Sequence, residues 1–515
     1  MEANNRGIKI NHISMKFGTK YALKDVSLFI KEGTIHSIVG ENGAGKSTLM
    51  NILNSVLVPS SGEVLINDKK LNCTNPKDAT CMGIGMVHQH FMLVPSLKVW
   101  QNIILGAEPL KSARYIDKKS AFKKIRKACE QYGIELNLEQ QVGELTVGQQ
   151  QKIEILKVLY RDAQYIVLDE PTAVLIPEEI NALFESIQAL KAMGKTIIFI
   201  SHKLNEVTSI SDEITVIQDG KVKGTVDAEG VDPNKLVRMM IGRDVDLEGR
   251  PSEAEKKDLL LEVQNLSVKK VGFSCGLNNV SLDVHGGEIL GIAGVDGNGQ
   301  SELVEALLGL TKGVSGHIIK DGKDIINYTC GQIRDMGVAC IPPDRQQHGL
   351  VMQSSIKQNM VLGCESMSII CNGPFISGKK VENITTELCE EFDVRMSSTD
   401  GLVSELSGGN QQKVILAREC GIRKTNLIIA VSPTRGLDIG AIEFVYSCLE
   451  KYKKEGKAIL LISTELSDIL RLSDRIAVMF KGRIMGTLDN TEDLSVDEIG
   501  SLMAGIDPKG EEASA

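Results

Sequence analysis

The sequence predicts an α/β protein built twice over, two copies of one domain in a single chain of 515 residues. Three observations predict it. Short strings recur in the same order at a nearly constant spacing. Short, almost wholly apolar runs read as strands buried on both faces of a parallel sheet. In each copy a glycine-rich loop lies between such a strand and a helical run.

The repeat fixes the domain count. Ser27 in KDVSLFI corresponds to Ser281 in NNVSLDV, and Lys46 in GENGAGKST to Gln300 in GVDGNGQSE, both 254 residues further on. Leu145 in LTVGQQQK corresponds to Leu406 in LSGGNQQK, 261 residues on, and Pro171 in DEPTAVL to Pro433 in VSPTRGL, 262 on. The expected division is a first domain 1–245, a linker 246–258, a second domain 259–507 and a disordered tail 508–515. The linker stretch is charged, carries Pro251 and has no apolar period.

Within the first copy, TIHSIVG (34–40), YIVLD (165–169) and TIIFIS (196–201) read as buried parallel strands. STLMNIL after the glycine-rich loop reads as a helix. In KKSAFKKIRKACEQYGI, Phe122, Ile125, Cys129 and Tyr132 share one helical face, expected to pack in the core.

Composition excludes several classes. Apolar residues make up 42% and charged residues 24%, enough to bury large cores, and the net charge of −9 offers no basic surplus for a nucleic-acid partner. No run approaches the roughly 18 apolar residues of a membrane span. The start MEANNRG lacks the apolar core of a signal peptide. The eleven cysteines form no CxxC pair, so neither a zinc site nor a disulfide framework is expected. Cys73, Cys81, Cys340 and Cys420 are expected to be small apolar fillers.

The chemistry concentrates in the first copy. Gly40, Glu41, Asn42, Gly43, Ala44, Gly45, Lys46, Ser47 and Thr48 fit a phosphate-binding loop. Glycines let backbone N–H groups close around phosphate oxygens, and the helix N-terminus adds positive potential. Lys46 then bridges the β- and γ-phosphates and Ser47 ligates Mg²⁺. The strand YIVLD ends in two carboxylates, Asp169 for the metal and Glu170 to activate the attacking water. Gln89 in GMVHQ suits the metal and the water, and His202 in FISHKL suits the γ-phosphate. Phe17 is a candidate for stacking on adenine, its alternative being simple core packing.

The phosphate loop, VHQ, LTVGQQQ, LDEPT and ISH, in that order and spacing, resemble an ATP-binding cassette, and the resemblance covers essentially the whole chain in both copies. It implies two P-loop cassettes in tandem. Each has a mostly parallel core sheet, an antiparallel β subdomain and a helical subdomain. It further implies ATP and Mg²⁺ as ligands, with two cassettes sandwiching nucleotide head to tail. Ser407, Gly408, Gly409 and Gln411 of the second signature loop then face the first phosphate loop.

The second copy keeps the shell and loses the chemistry. Gln300 stands for Lys46, Val431 for Asp169, Ser432 for Glu170, Thr464 for His202 and Pro343 near the position of Gln89. Removing a general base alone costs about 10²–10⁴ in rate. Gly294, Gly299, Gln300 and Ser301 are therefore expected to hold nucleotide with little or no turnover. Ile176, Thr146 and Pro343 depart from the family pattern, as cap, signature serine and acidic residue respectively.

LSGGNQQK and PTRGLD resemble the fused ATPases of monosaccharide importers. GMVHQHFMLVPSLKVWQNIILGAEP and GVDGNGQSELVEALLGL look more like those of nucleoside importers. The resemblance implies an ATPase subunit on the cytoplasmic face of the membrane. It would work with two transmembrane permease subunits and, indirectly, an extracytoplasmic nucleoside- or sugar-binding lipoprotein. Tandem ribosomal ATPases keep both carboxylate pairs and a long basic linker, and DNA-repair relatives carry zinc cysteine pairs. Neither set of features is here, and the intact Lys46, Asp169, Glu170 and His202 oppose a purely scaffolding role.

Overall fold

The computed structural model describes residues 6–506 apart from 19, 42, 89–90, 112–114, 173–176, 202, 243–248, 253, 270–274, 296 and 366. Asn42, Gln89, Ile176 and His202 therefore lie outside the described residues, as does the tail. The chain forms two compact units, Met1–Val245 and Asp246–Ala515.

In the first unit the apolar run 34–40 becomes the strand Ile35–Val39 at the heart of a six-stranded sheet. Across that sheet the order is Lys221–Asp227, Glu213–Gln218, Ile35–Val39, Thr196–Ile200, Tyr165–Asp169 and Ile84–Val87. All neighbours run parallel except the edge pair Lys221–Asp227 and Glu213–Gln218. Ile35–Val39 and Thr196–Ile200 are buried at every residue, as strands covered on both faces must be. A second sheet is antiparallel, with Gly7–Phe17 between Lys20–Lys31 and Ser61–Ile66. Its alternating burial marks a sheet with one wet face.

The second unit repeats this arrangement strand for strand. Its sheet order is Val338–Ile341, Leu427–Val431, Ala458–Ser463, Ile289–Ala293, Arg475–Phe480 and Arg483–Asp489. The repeat legible in the sequence is thus a repeat of topology.

A helical layer in the first unit gathers Val99–Ile104, Lys118–Tyr132 and Val147–Tyr160 around Val99, Ile103, Ile125, Ile153 and Leu156. The buried stripe of Lys118–Tyr132 is Ala121, Ile125 and Ala128, with Phe122, Cys129 and Tyr132 half-covered beside it. Small alanines let this helix approach closely, so the larger side chains sit at the flank.

All eleven cysteines are free. Cys73 and Cys420 are buried, and burial pushes the Cys340 thiol up to about 12. Cys81 is a correction: it is exposed at the end of Pro76–Cys81, whose buried position is Ala79.

Of the linker expected at 246–258, the described residues from 249 on hydrogen-bond to the second unit. Lys257 N donates to Gly286 O at 2.7 Å and Gly286 N to Asp258 O at 3.0 Å. Arg471 Nη1 donates to Arg250 O at 3.0 Å, and the buried Lys453 ammonium donates to Ser252 O. Its backbone carbonyls are acceptors for long cationic side chains.

Candidate active site

The phosphate loop runs from the end of Ile35–Val39 into the helix Lys46–Leu53. Gly45 caps that helix at φ 106°, a conformation closed to other residues, and a Cβ there would lie 2.6 Å from Ala22 O. Gly40 is equally constrained, because a Cβ would lie 2.2 Å from Ile217 O. Gly220 N donates to Ala44 O at 3.0 Å, and Lys24 N to Gly220 O at 2.8 Å, so one turn ties the loop to the antiparallel sheet. Gly43 and Ser47 are exposed, and Glu41 and Thr48 half-buried, leaving the rim open.

Lys46 is only 6% exposed. Its ammonium folds back onto the loop, donating to Gly40 O at 2.5 Å and Glu41 O at 3.0 Å. These are neutral acceptors. A phosphate oxygen is a stronger, charge-assisted partner for the same cation.

Asp169 ends the strand Tyr165–Asp169, with Glu170 beside it. Burial first, and the Glu170 charge second, raise the Asp169 carboxyl above its ordinary value, with His88 and Lys46 opposing. A desolvated carboxylate next to another is a donor set that a hard divalent cation fits. Glu170 holds a left-handed backbone at φ 46°, its N–H donating to Ile200 O at 2.9 Å.

Sequence reasoning missed the group that joins these strand ends. Glu206, 9% exposed, accepts from Thr172 Oγ1 at 2.7 Å and from Ser201 Oγ at 3.1 Å. Thr172 lies two residues beyond Glu170, and Ser201 directly precedes His202. The second unit repeats the clamp: Asp468 accepts from Thr434, Ser463 and Tyr446 hydroxyls. The recurrence of an acid at 206 and 468 was the available signal.

In the second unit Gln300 occupies the position of Lys46, 8% exposed. Its Nε2 donates to Val295 O at 3.1 Å and its Oε1 accepts from Asn298 N at 3.1 Å. The side chain thus consumes one of the loop's own amides. Gly299 caps the next helix at φ 111°, a Cβ on Gly294 would lie 2.7 Å from Met479 O, and Ser301 is exposed. The loop keeps its shape with no cation. Val431 and Ser432 end the strand without a carboxylate.

Ser407 caps the helix Gly408–Leu416, its Oγ accepting from Asn410 N at 3.4 Å and Asn410 Nδ2 at 2.9 Å. Ser407 is exposed, whereas Gly409 is buried against Ala441 and Gly408 lies under the Arg345 guanidinium. Gln411 lies in the same loop. It is 3% exposed, and its amide donates to Leu406 O and Val403 O, so it supports the loop. Phe17 is 50% exposed, which sets aside core packing.

The family model described as "ABC transporter" matches residues 23–173 and again 277–435. The chain is 44% identical to the nucleoside import ATP-binding protein NupA of Lactococcus lactis subsp. cremoris (strain MG1363), covering 98% of this chain and 99% of that protein. It is 43% identical to the guanosine import ATP-binding protein NupO of Bacillus subtilis (strain 168), covering 98% of each. It is 38% identical to the ribose import ATP-binding protein RbsA of L. lactis subsp. cremoris (strain SK11), over 94% of this chain and 97% of that one. With a phosphate loop and a strand-end position in each unit, and the family model matching twice, the chain belongs to the ABC transporter family.

Proposed function

We propose that this chain is the ATP-hydrolysing subunit of an ABC importer that takes up nucleosides through membrane-embedded partner subunits. The observation that carries the hydrolytic part is the inequality of the two phosphate loops: a buried cation with two strand-end carboxylates in one, a self-satisfied amide and no carboxylate in the other. The similarity to nucleoside and guanosine import proteins, above that to the ribose relative, supports the substrate class.

In the first unit, loop amides and the Lys46 ammonium bind the triphosphate, Lys46 exchanging its carbonyl partners for phosphate oxygens. Ser47 and Asp169, with Gln89, would hold Mg²⁺, which would supply charge neutralisation at the phosphates. Glu170 takes the proton of the attacking water. His202 and Phe17 are proposed contacts to the γ-phosphate and adenine, and Ser407, Gly408 and Gly409 complete the family's set of nucleotide contacts. Residues 1–245 and 259–507 are the two cassettes, and the second holds nucleotide without turnover. The chain works at the cytoplasmic face with two permease subunits and, through them, a solute-binding protein.

The test is ATPase activity of the chain reconstituted with its membrane partners. Solute-binding protein loaded with nucleoside is expected to stimulate it and Glu170→Gln to abolish it. Stimulation by a monosaccharide alone overturns the substrate class, and steady hydrolysis by Glu170→Gln overturns the assignment of the base.

A further inference from the structure

One helix of this acidic chain is strongly basic. Residues 110–130 carry eight Lys and Arg against two acids, whereas the matching stretch 370–390 of the second unit carries two against three. The two stretches share a design, a two-stranded hairpin leading into a helix of similar length: Leu110–Lys111 with Tyr115–Ile116 into Lys118–Tyr132, and Cys371–Asn372 with Phe375–Ile376 into Gly378–Glu391. The fold therefore does not require the charge.

Lys119, Lys123 and Lys127 follow one another at helical spacing, so they line one face, and all are exposed. Like charges at that spacing repel. Their neighbours are engaged: Lys118 with Glu139, and Lys124 with Asp162. None of the three has an ion-pair or hydrogen-bond partner among the described residues. At the start of the helix the hairpin exposes three apolar side chains, Leu110 at 58%, Tyr115 at 75% and Ile116 at 49%. Asp117 N donates to Pro109 O at 2.7 Å and Asp117 caps the helix, so hairpin and helix are joined without slack.

Cations in a row beside an aromatic and two aliphatic side chains make an amphipathic surface. We infer that this surface docks on an anionic lipid bilayer, the lysines over headgroup phosphates and Tyr115 and Ile116 in the interfacial layer. Charge complementarity selects the anionic surface. The apolar tip favours a bilayer over a polyanion such as RNA, which offers the lysines phosphates but Ile116 no apolar medium.

The test is co-sedimentation of the full chain with phosphatidylcholine vesicles, with and without phosphatidylglycerol. It requires neither transported solute nor partner subunits, so its result is separate from the proposed function. Binding is expected to the anionic vesicles only and to fall with added salt. Each lysine at such a surface is worth about five-fold in affinity, so Lys119→Gln, Lys123→Gln and Lys127→Gln together are expected to weaken binding roughly a hundred-fold. Tyr115→Ser with Ile116→Ser is expected to weaken it further while the far-ultraviolet circular dichroism is unchanged. Equal sedimentation with both vesicles, undiminished binding by the triple variant, or capture by RNA in preference to anionic vesicles overturns the proposal.

Discussion

Glu170 and Ser432 hold the same left-handed backbone at equivalent places in the two units, φ 46° and 42°, each N–H donating to a neighbouring strand end, Ile200 O and Ile462 O. A non-glycine residue in that region costs about 1–2 kcal/mol. In the first unit that position carries a carboxylate at the end of the strand Tyr165–Asp169. In the second it carries a hydroxyl in place of the carboxylate. Ser432→Gly should therefore stabilise the second unit by up to about 1 kcal/mol without altering turnover. A denaturant midpoint and a phosphate-release assay on the same variant check both halves of that statement.

The Glu206 clamp gives a prediction that separates positioning from binding. Glu206→Ala leaves two hydroxyls, on Thr172 and Ser201, without their acceptor, at about 1–3 kcal/mol. The segments beyond the two strand ends then lose their side-chain tie, while the Glu170 N–H to Ile200 O bond remains. The maximal ATPase rate should fall by about ten-fold or more, since each 1.36 kcal/mol of lost barrier lowering is ten-fold. Nucleotide affinity, which rests on the phosphate loop, should change little. A loss of affinity equal to the loss of rate would refute the clamp as a positioning device.

Gln300→Lys restores the missing cation to a loop that already has the right shape. The Asn298 N–H released from Gln300 Oε1 also becomes available. Binding of a fluorescent ATP analogue to the second unit should tighten, measured in a Lys46→Ala background. Hydrolysis there should remain absent, because Val431 and Ser432 supply no carboxylate.

Acid stability should be limited in part by Glu288, which is 3% exposed. Burial alone would raise its carboxyl. Arg475 at 2.6 Å, the His285 N–H and Lys256 outweigh burial, so it sits below its ordinary value. A carboxyl depressed in the folded state contributes stability above its unfolded pKa, and that contribution disappears as pH falls through the folded value. The second unit should weaken below about pH 4. Glu288→Gln should flatten that limb and cost about 1.5 kcal/mol at neutral pH, because Arg475 loses one charged partner and keeps Asp283 at 2.9 Å. Thermal melts across pH for both chains make the comparison.

The core strands were legible because burial on both faces leaves only apolar residues: Tyr165–Asp169 was read to the residue, and Ile35–Val39 to within one at each end. The phosphate loop was legible because its glycines are required by backbone contacts such as Gly40 with Ile217 O, which no other residue survives. The bonds of Gln411 to its own loop were not legible, because a polar residue in such a string looks the same whether or not it holds the loop's carbonyls. Glu206 was missed because the partner that makes it a clamp, Thr172, is 34 residues away in sequence. Cys81 was misread because a lone small residue carries no periodic signal.

The strap at 249–258 says where the gene could be cut. A second half begun at residue 259 would strip Lys453, 1% exposed, of the Ser252 carbonyl and leave Arg471 without Arg250 O. A break placed before residue 249 would keep both. The described residues of the seam bond to the downstream half, so a downstream polypeptide begun before residue 249 should keep those bonds, and one begun ten residues later should aggregate.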